Sequence, residues 1–199
     1  MKNIAVLVLA AGKASRMNSI KQLEKIDNKT LLDISLEKIK TIIPDTIFCV
    51  LGANSDIIKQ GIKTENIEFI INQEFETGLS SSIVAGIQYF KKKKLSYDAV
   101  FILLADQPAI EISYLKNMIE LFEKNNHAII ASNYGNKLGV PAIFSAKKFK
   151  DLLLIKGDKG AKEFINQRKT EVVCPQKSTN FFDIDTKKDL LHFKNYKLK

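Results

Sequence analysis

Ile4-Ala5-Val6-Leu7-Val8-Leu9-Ala10-Ala11-Gly12-Lys13-Ala14-Ser15-Arg16-Met17-Asn18 joins an unbroken apolar run to a loop of small and basic residues. A run from Ile4 to Leu9 without polar alternation is expected of a parallel strand covered on both faces. The same stretch, with its single lysine, superficially suggests a secretion signal. Its β-rich composition, its glycine loop and the periodic structure beyond it identify it instead as a first strand.

Strand and helix signals alternate from there to the end. Apolar residues at 31, 32, 36, 39, 42 and 43 approach a helical period over Leu31 to Ile43. A strand Ile47 to Leu51, a helix Ser55 to Ile62 and a strand Ile67 to Ile71 follow. A helix is expected over Ser80 to Lys92, the strongest strand of the chain over Ala99 to Ala105, a helix over Ile112 to Asn125 and a strand over Ala128 to Ala131. The last third carries a short strand Val140 to Phe144, helical segments near Lys147 to Leu154 and Gly160 to Arg168, strands near Val172 and Phe182, and a helix from Lys187 to about Phe193. Short connections between alternating β and α elements imply a mostly parallel sheet with helices on both faces. No internal repeat or linker interrupts residues 1–199, so a single domain is expected.

Hydrophobic residues make up 45% and charged residues 27% of the chain, ordinary globular proportions. No run of eighteen apolar residues exists, so no membrane span is expected. The net charge of +9 is almost all lysine, Arg16 and Arg168 being the two arginines. Basic residues are not interleaved with aromatics, and Lys91 to Lys94 end a predicted helix, where cations suit the dipole. No nucleic-acid partner and no membrane partner are therefore expected. Cys49 and Cys174 are widely separated and lack CxxC spacing, which fits buried free thiols in a cytoplasmic protein rather than a zinc site.

Ligands of such sheets bind at the carboxyl ends of the strands. Four junctions are unusual there. In Leu9 to Lys21, small residues and Gly12 allow backbone N–H groups to converge on an anion, and Arg16 and Lys21 add charge; a solvated tight turn is the bland alternative. Asp106 follows five apolar strand residues and precedes Gln107-Pro108, which suits either a magnesium ligand or a turn residue. In Phe182-Asp183-Ile184-Asp185-Thr186, strand alternation would put both aspartates on one side of buried Ile184, while Asp185 could equally cap the last helix, with Asp189 in its first turn. Gly78-Leu79-Ser80-Ser81-Ser82 opens a helix whose free N–H groups and hydroxyls suit a phosphate or polar group, or a simple N-cap.

Together, Leu9-Ala10-Ala11-Gly12 with Ser15-Arg16-Met17 and Lys21-Gln22-Leu23, then Gly78 to Ser82, Asp106-Gln107-Pro108, Gly139-Val140-Pro141, Gly157-Asp158-Lys159-Gly160-Ala161 and Asp183 to Thr186, resemble the molybdenum cofactor nucleotidyltransferases. The resemblance is closest to their cytidylyltransferase branch, which joins CMP to molybdopterin, and it runs in family order from residue 9 to residue 189. The chain departs from the family pattern at Ala14 (a serine there), Asn18 (a second glycine) and Ala105 (commonly glycine or cysteine). Ser15 offers a hydroxyl one position along, and asparagine tolerates positive φ.

The resemblance implies a three-layer α/β/α, Rossmann-like fold of the nucleotide-diphospho-sugar transferase type. It implies transfer of CMP from CTP to molybdopterin with release of pyrophosphate. Mg2+ would be held by Asp106 and Asp185, with Arg16, Lys21 and Asp106 catalytic. Leu9, Ala10, Ala11, Gly12, Ser15, Arg16 and Lys21 would bind the nucleotide. Gly78, Ser80, Ser81, Ser82, Gly139 and Pro141 would bind the acceptor. Ala11, where guanine-using relatives usually carry glycine, favours CTP over GTP. A molybdenum hydroxylase apo-enzyme is a further implied partner. The alternatives are the same chemistry with GTP or a sugar-phosphate acceptor, and a non-catalytic cofactor chaperone.

Overall fold

The computed structural model describes residues 2–12, 17, 19–125 and 128–197, the last two as backbone only. A seven-stranded sheet runs through it in the order β5-β4-β1-β6-β8-β7-β9. Its strands are β1 (Ile4–Ala10), β4 (Ile47–Leu51), β5 (Glu68–Ile71), β6 (Ala99–Leu104), β7 (Ile129–Asn133), β8 (Leu138–Ser145) and β9 (Val172–Val173). Two short strands, β2 (Lys25–Ile26) and β3 (Lys29–Thr30), form a separate antiparallel hairpin. β1 pairs in parallel with β4 and with β6, β4 with β5, and β7 with β9.

The unalternated apolar strands are explained by helices on both faces. Every residue of β1 is buried. Ile4, Val6, Val8 and Ala10 face one core with residues of α1 (Leu31–Lys40), α2 (Ser55–Gly61) and α4 (Ile112–Lys124). Ala5, Leu7 and Leu9 face a second core with α3 (Leu79–Lys92), α5 (Phe149–Leu152) and α6 (Lys162–Asn166). A third, small cluster gathers Met17, Ile26, Leu31, Ile34, Ile184, Leu190 and Phe193, and seats α7 (Lys187–Lys197) against the start of α1.

The helix α1 shows the local logic. Thr30 caps it by accepting the Asp33 N–H, while the fully buried Leu32, Leu36 and Ile39 form the face packed on the sheet. Truncating any of these three to alanine would cost about 2–5 kcal/mol.

The sheet is mostly parallel, as expected; within it β8 runs antiparallel to both β6 and β7, because β7 and β8 form a hairpin rather than a crossover. This hairpin returns its turn, residues 134–137, to the edge where the parallel strands end. One expectation needs correction: no strand forms around Phe182, so Asp183 and Asp185 are not placed by strand alternation. Cys49 is buried in β4 and Cys174 lies just past β9; both are free thiols, and burial pushes both upward in pKa. No helix among the described residues is long and apolar enough to cross a membrane.

Candidate active site

The chain leaves β1 toward β4 and β5 on one side and returns to β6 on the other, so β1 and β6 flank a topological switch point. Outside their carboxyl ends lies a cleft of about 430 Å3 lined by Leu9, Ala10, Ala11, Gly12, Lys21, Leu104, Ala105, Asp106 and Asp185, among others. The segments that carry expected nucleotide and metal residues therefore meet, although they are separated by more than 160 positions in sequence (Lys21 to Asp185). Ser15 and Arg16 lie outside the described residues.

At the centre, the Lys21 ammonium donates to Asp106 Oδ2 at 2.7 Å and to Asp185 Oδ1 at 2.7 Å. Burial works against the Lys21 charge, but the two carboxylates outweigh it and hold its pKa above the ordinary lysine value. Asp106 Oδ1 is buried with no hydrogen-bond partner. Two carboxylates already converging on one positive charge, one of them with an unused oxygen, fit Mg2+, which takes one or two carboxylates and completes its shell with phosphate and water. No cluster of three or more His, Cys, Asp or Glu suited to a metal exists among the described residues, so an all-protein cage is not what this site offers.

Each member is positioned by specific bonds. Lys21 begins a 3-10 turn, Lys21–Leu23, whose buried Gln22 donates from Nε2 to the carbonyls of Ala10 at 2.6 Å and Gly12 at 3.1 Å. Gln22 thereby ties this turn to the end of β1 and to Gly12, a role its place in the sequence motif does not reveal. Asp106 follows Ala105, whose N–H donates to the Leu9 carbonyl at 3.1 Å and whose carbonyl accepts from Ser35 Oγ at 3.0 Å. The Ile184 N–H donates to the Asp106 carbonyl at 2.9 Å, which stitches the C-terminal segment beside β6. Ile184 is fully buried, and the flanking aspartates part company: Asp185 reaches Lys21, while Asp183 accepts from Gln107 Nε2 at 2.9 Å. Asp185 does not cap α7; Asp189 Oδ2 accepts the Thr186 N–H at 2.8 Å and Thr186 Oγ1 accepts the Asp189 N–H at 3.1 Å. This reciprocal cap leaves the Asp185 carboxylate for the cleft.

A second lobe of about 390 Å3 adjoins the first and shares Leu9, Leu79, Leu104 and Asp158 with it. Gln107, Tyr134, Lys137, Gly139, Lys162 and Asp183 are among its other lining residues. Burial, together with the nearby Asp106 charge, pushes Asp183 up to about 6. Between the lobes, Gly78 meets the Gly157–Asp158 loop so closely that a Cβ on it would fall 2.5 Å from Asp158 Oδ1, and its φ of 110° also disfavours a side chain.

Of the residues expected to bind the acceptor, Gly78 and Ser82 line the first lobe and Gly139 the second. Ser80 is buried and its Oγ donates to the Gly160 carbonyl at 3.4 Å. Ser81 donates to the Gly78 carbonyl at 2.8 Å and lines a different cavity, behind α3. Pro141 is buried within β8, where its carbonyl accepts from Ser132 Oγ at 2.9 Å. The serines thus brace the start of α3 more than they open onto the cleft. Gln22 and Gln107, which the motifs contain without a role, and Tyr134, which they do not contain, join the site through long-range contacts.

The family model described as MobA-like NTP transferase domain matches residues 6–172. A curated relative, the bifunctional protein GlmU of Francisella tularensis subsp. novicida, is 28% identical over 88% of this chain; the chain spans about 38% of that relative's length. Among solved structures, the homologue of Mycobacterium tuberculosis Rv0371c from Mycobacterium sp. strain JC1 superposes with a TM-score of 0.82 at 23% identity, covering 98% of each chain. Rv0371c of M. tuberculosis H37Rv in complex with manganese gives 0.78 at 20% identity, covering 97% of this chain and 98% of that one.

Proposed function

This chain belongs to the MobA-like NTP transferase family and is a nucleotidyltransferase, and from that premise we propose its reaction: transfer of CMP from CTP to the phosphate of molybdopterin, dependent on Mg2+. The observation that carries the proposal is the convergence of Asp106, Lys21 and Asp185 in the wall of the first lobe. The first lobe takes the nucleotide and the second the acceptor.

In the reaction a phosphate oxygen of the acceptor attacks the α-phosphorus of CTP. A new P–O–P bond forms, the bond between Pα and the bridging oxygen breaks, and pyrophosphate leaves with that electron pair. No covalent protein intermediate is needed, so the protein's task is alignment and stabilisation of negative charge. Asp106 and Asp185 would hold Mg2+, which supplies positive charge to the triphosphate. Lys21 spends two N–H bonds on the carboxylates and keeps a third donor for a phosphate oxygen. Backbone groups of Ala10 to Gly12, fixed by Gln22, line the nucleotide lobe. The manganese complex of the M. tuberculosis protein supports a divalent ion in this fold.

CTP rather than GTP is favoured by Ala11, which lines the first lobe together with Phe75. A larger purine would have to displace these groups.

The test is pyrophosphate release with each pairing of CTP or GTP with molybdopterin or a sugar phosphate. Release that requires CTP, Mg2+ and molybdopterin together is the expected result. Release with another pair assigns that donor or acceptor instead, and binding without any release identifies a cofactor carrier.

A further inference from the structure

Tyr134 takes no part in the transfer step just described, yet it is among the most firmly placed side chains of the second lobe. It stands at the tip of the β7–β8 hairpin, where its N–H donates to the Lys137 carbonyl at 2.9 Å. Its hydroxyl accepts from Gln107 Nε2 at 3.0 Å and donates to the Val140 carbonyl. Phe181 packs on its ring with centroids 4.3 Å apart and planes inclined by 31°. Tyr114 braces Phe181 in turn, edge-on at 5.5 Å. Beside the ring, Gly139 presents no side chain, and a Cβ there would lie 3.4 Å from Tyr134 Cε2.

Despite this support Tyr134 is 38% exposed, and it lines the second lobe. An aromatic ring clamped by two hydrogen bonds and a stacked neighbour, but left open toward a cavity, loses little further freedom when a ligand covers it. Aromatic rings offer such a flat surface most effectively to another flat ring. The neighbouring wall is apolar at Leu138 and Val140 and positively charged at Lys137 and Lys162. Among the described residues neither lysine forms an ion pair with a carboxylate.

We propose that Tyr134 determines acceptor specificity by stacking its exposed ring surface on a planar heteroaromatic ring of the acceptor, whose phosphate is then directed toward Lys21. This rests on the second lobe being the acceptor lobe, as proposed above. A sugar, which is puckered, would use the same wall less well.

The test uses the full chain with MgCTP present and two probes, pterin-6-carboxylate and glucose 1-phosphate, titrated by calorimetry into the parent, Tyr134→Leu and Tyr134→Phe. Tyr134→Leu is expected to weaken pterin binding by about tenfold or more, the scale of one lost aromatic stack. Tyr134→Phe keeps the ring and should stay within about threefold of the parent, on the same reasoning. CTP affinity should be unchanged in both, which also shows that they fold. Equal pterin affinity in the parent and Tyr134→Leu overturns the stacking role, as does an equal loss in Tyr134→Phe and Tyr134→Leu. A parent that binds glucose 1-phosphate but not the pterin, with CTP binding intact, overturns the acceptor reading itself.

Discussion

Asp106 and Asp185 share one ammonium in this structure, and a carboxylate's value to a metal lies in its charge rather than its shape. Asp106→Asn keeps the shape and loses the charge. Turnover should fall by at least about a hundredfold, the scale for losing an electrostatic catalytic group, while the unfolding midpoint changes little because Asp106 lies past the carboxyl end of β6, outside the core. Near-normal steady-state turnover at saturating Mg2+ would make Asp106 a turn residue. Gln22 is the opposite kind of residue, contributing geometry and no charge. Gln22→Leu strips the Ala10 and Gly12 carbonyls of their side-chain donor. It should cost about 1–3 kcal/mol in urea unfolding and weaken CTP in calorimetry. Unchanged CTP affinity in that variant would show that Ala10 to Gly12 hold their shape without it. Asp106 could be suspected from its place after an apolar strand; Gln22 could not, because its meaning lies in two carbonyls across the turn.

At the scale of elements, the parallel half of the sheet was legible because a strand covered on both faces leaves an unbroken apolar run, as in Ile4–Ala10 and Ala99–Leu104. Direction is not written in such a run, so β8 read as one more strand and its antiparallel pairing did not show. Residues 181–185 misled differently. Ile184 is buried in the third core, but the aspartates on either side of it diverge, Asp183 to Gln107 and Asp185 to Lys21, with no ladder partner along the segment. The start of α1 held a further detail. Asp33, 3% exposed, accepts from Thr64 Oγ1 at 2.7 Å, Thr64 N at 2.9 Å, Lys63 N at 3.0 Å and Thr30 Oγ1 at 2.8 Å, tying α1 to the segment after α2. Burial would raise its pKa, but these donors together lower it below the ordinary 3.8. A carboxylate with a depressed folded pKa stabilises fully above its unfolded value, and that contribution is lost as pH falls through the folded one. Asp33→Ala should therefore cost roughly 2–3 kcal/mol at pH 7, with the deficit shrinking below about pH 4. A deficit that is the same at pH 7 and pH 3 in urea unfolding would show that the charge does not contribute.

At the scale of the whole molecule, the first lobe draws on β1, the 3-10 turn at Lys21–Leu23, the start of α3, the end of β6 and the segment before α7. A ligand seated there bridges segments far apart in the chain and has no counterpart site in the unfolded chain, so its binding must appear as global stability. At a concentration of one hundred times Kd the gain is about 2.7 kcal/mol. For a chain of 199 residues, each kcal/mol moves Tm by roughly 2–4 °C, so MgCTP should raise Tm by about 5–11 °C. EDTA should remove most of that shift, because Asp106 and Asp185 would then face the triphosphate without an intervening cation. GTP at the same concentration should fall short. Ala11 and Phe75 in the lobe wall should cost a purine on the order of 1–3 kcal/mol, leaving its shift smaller by several degrees. Ala11→Gly removes the methyl from the floor of the lobe and should narrow the difference between the two nucleotides without abolishing either shift. A larger Tm shift with GTP than with CTP in the parent overturns the base assignment; equal shifts with and without EDTA overturn the metal's role.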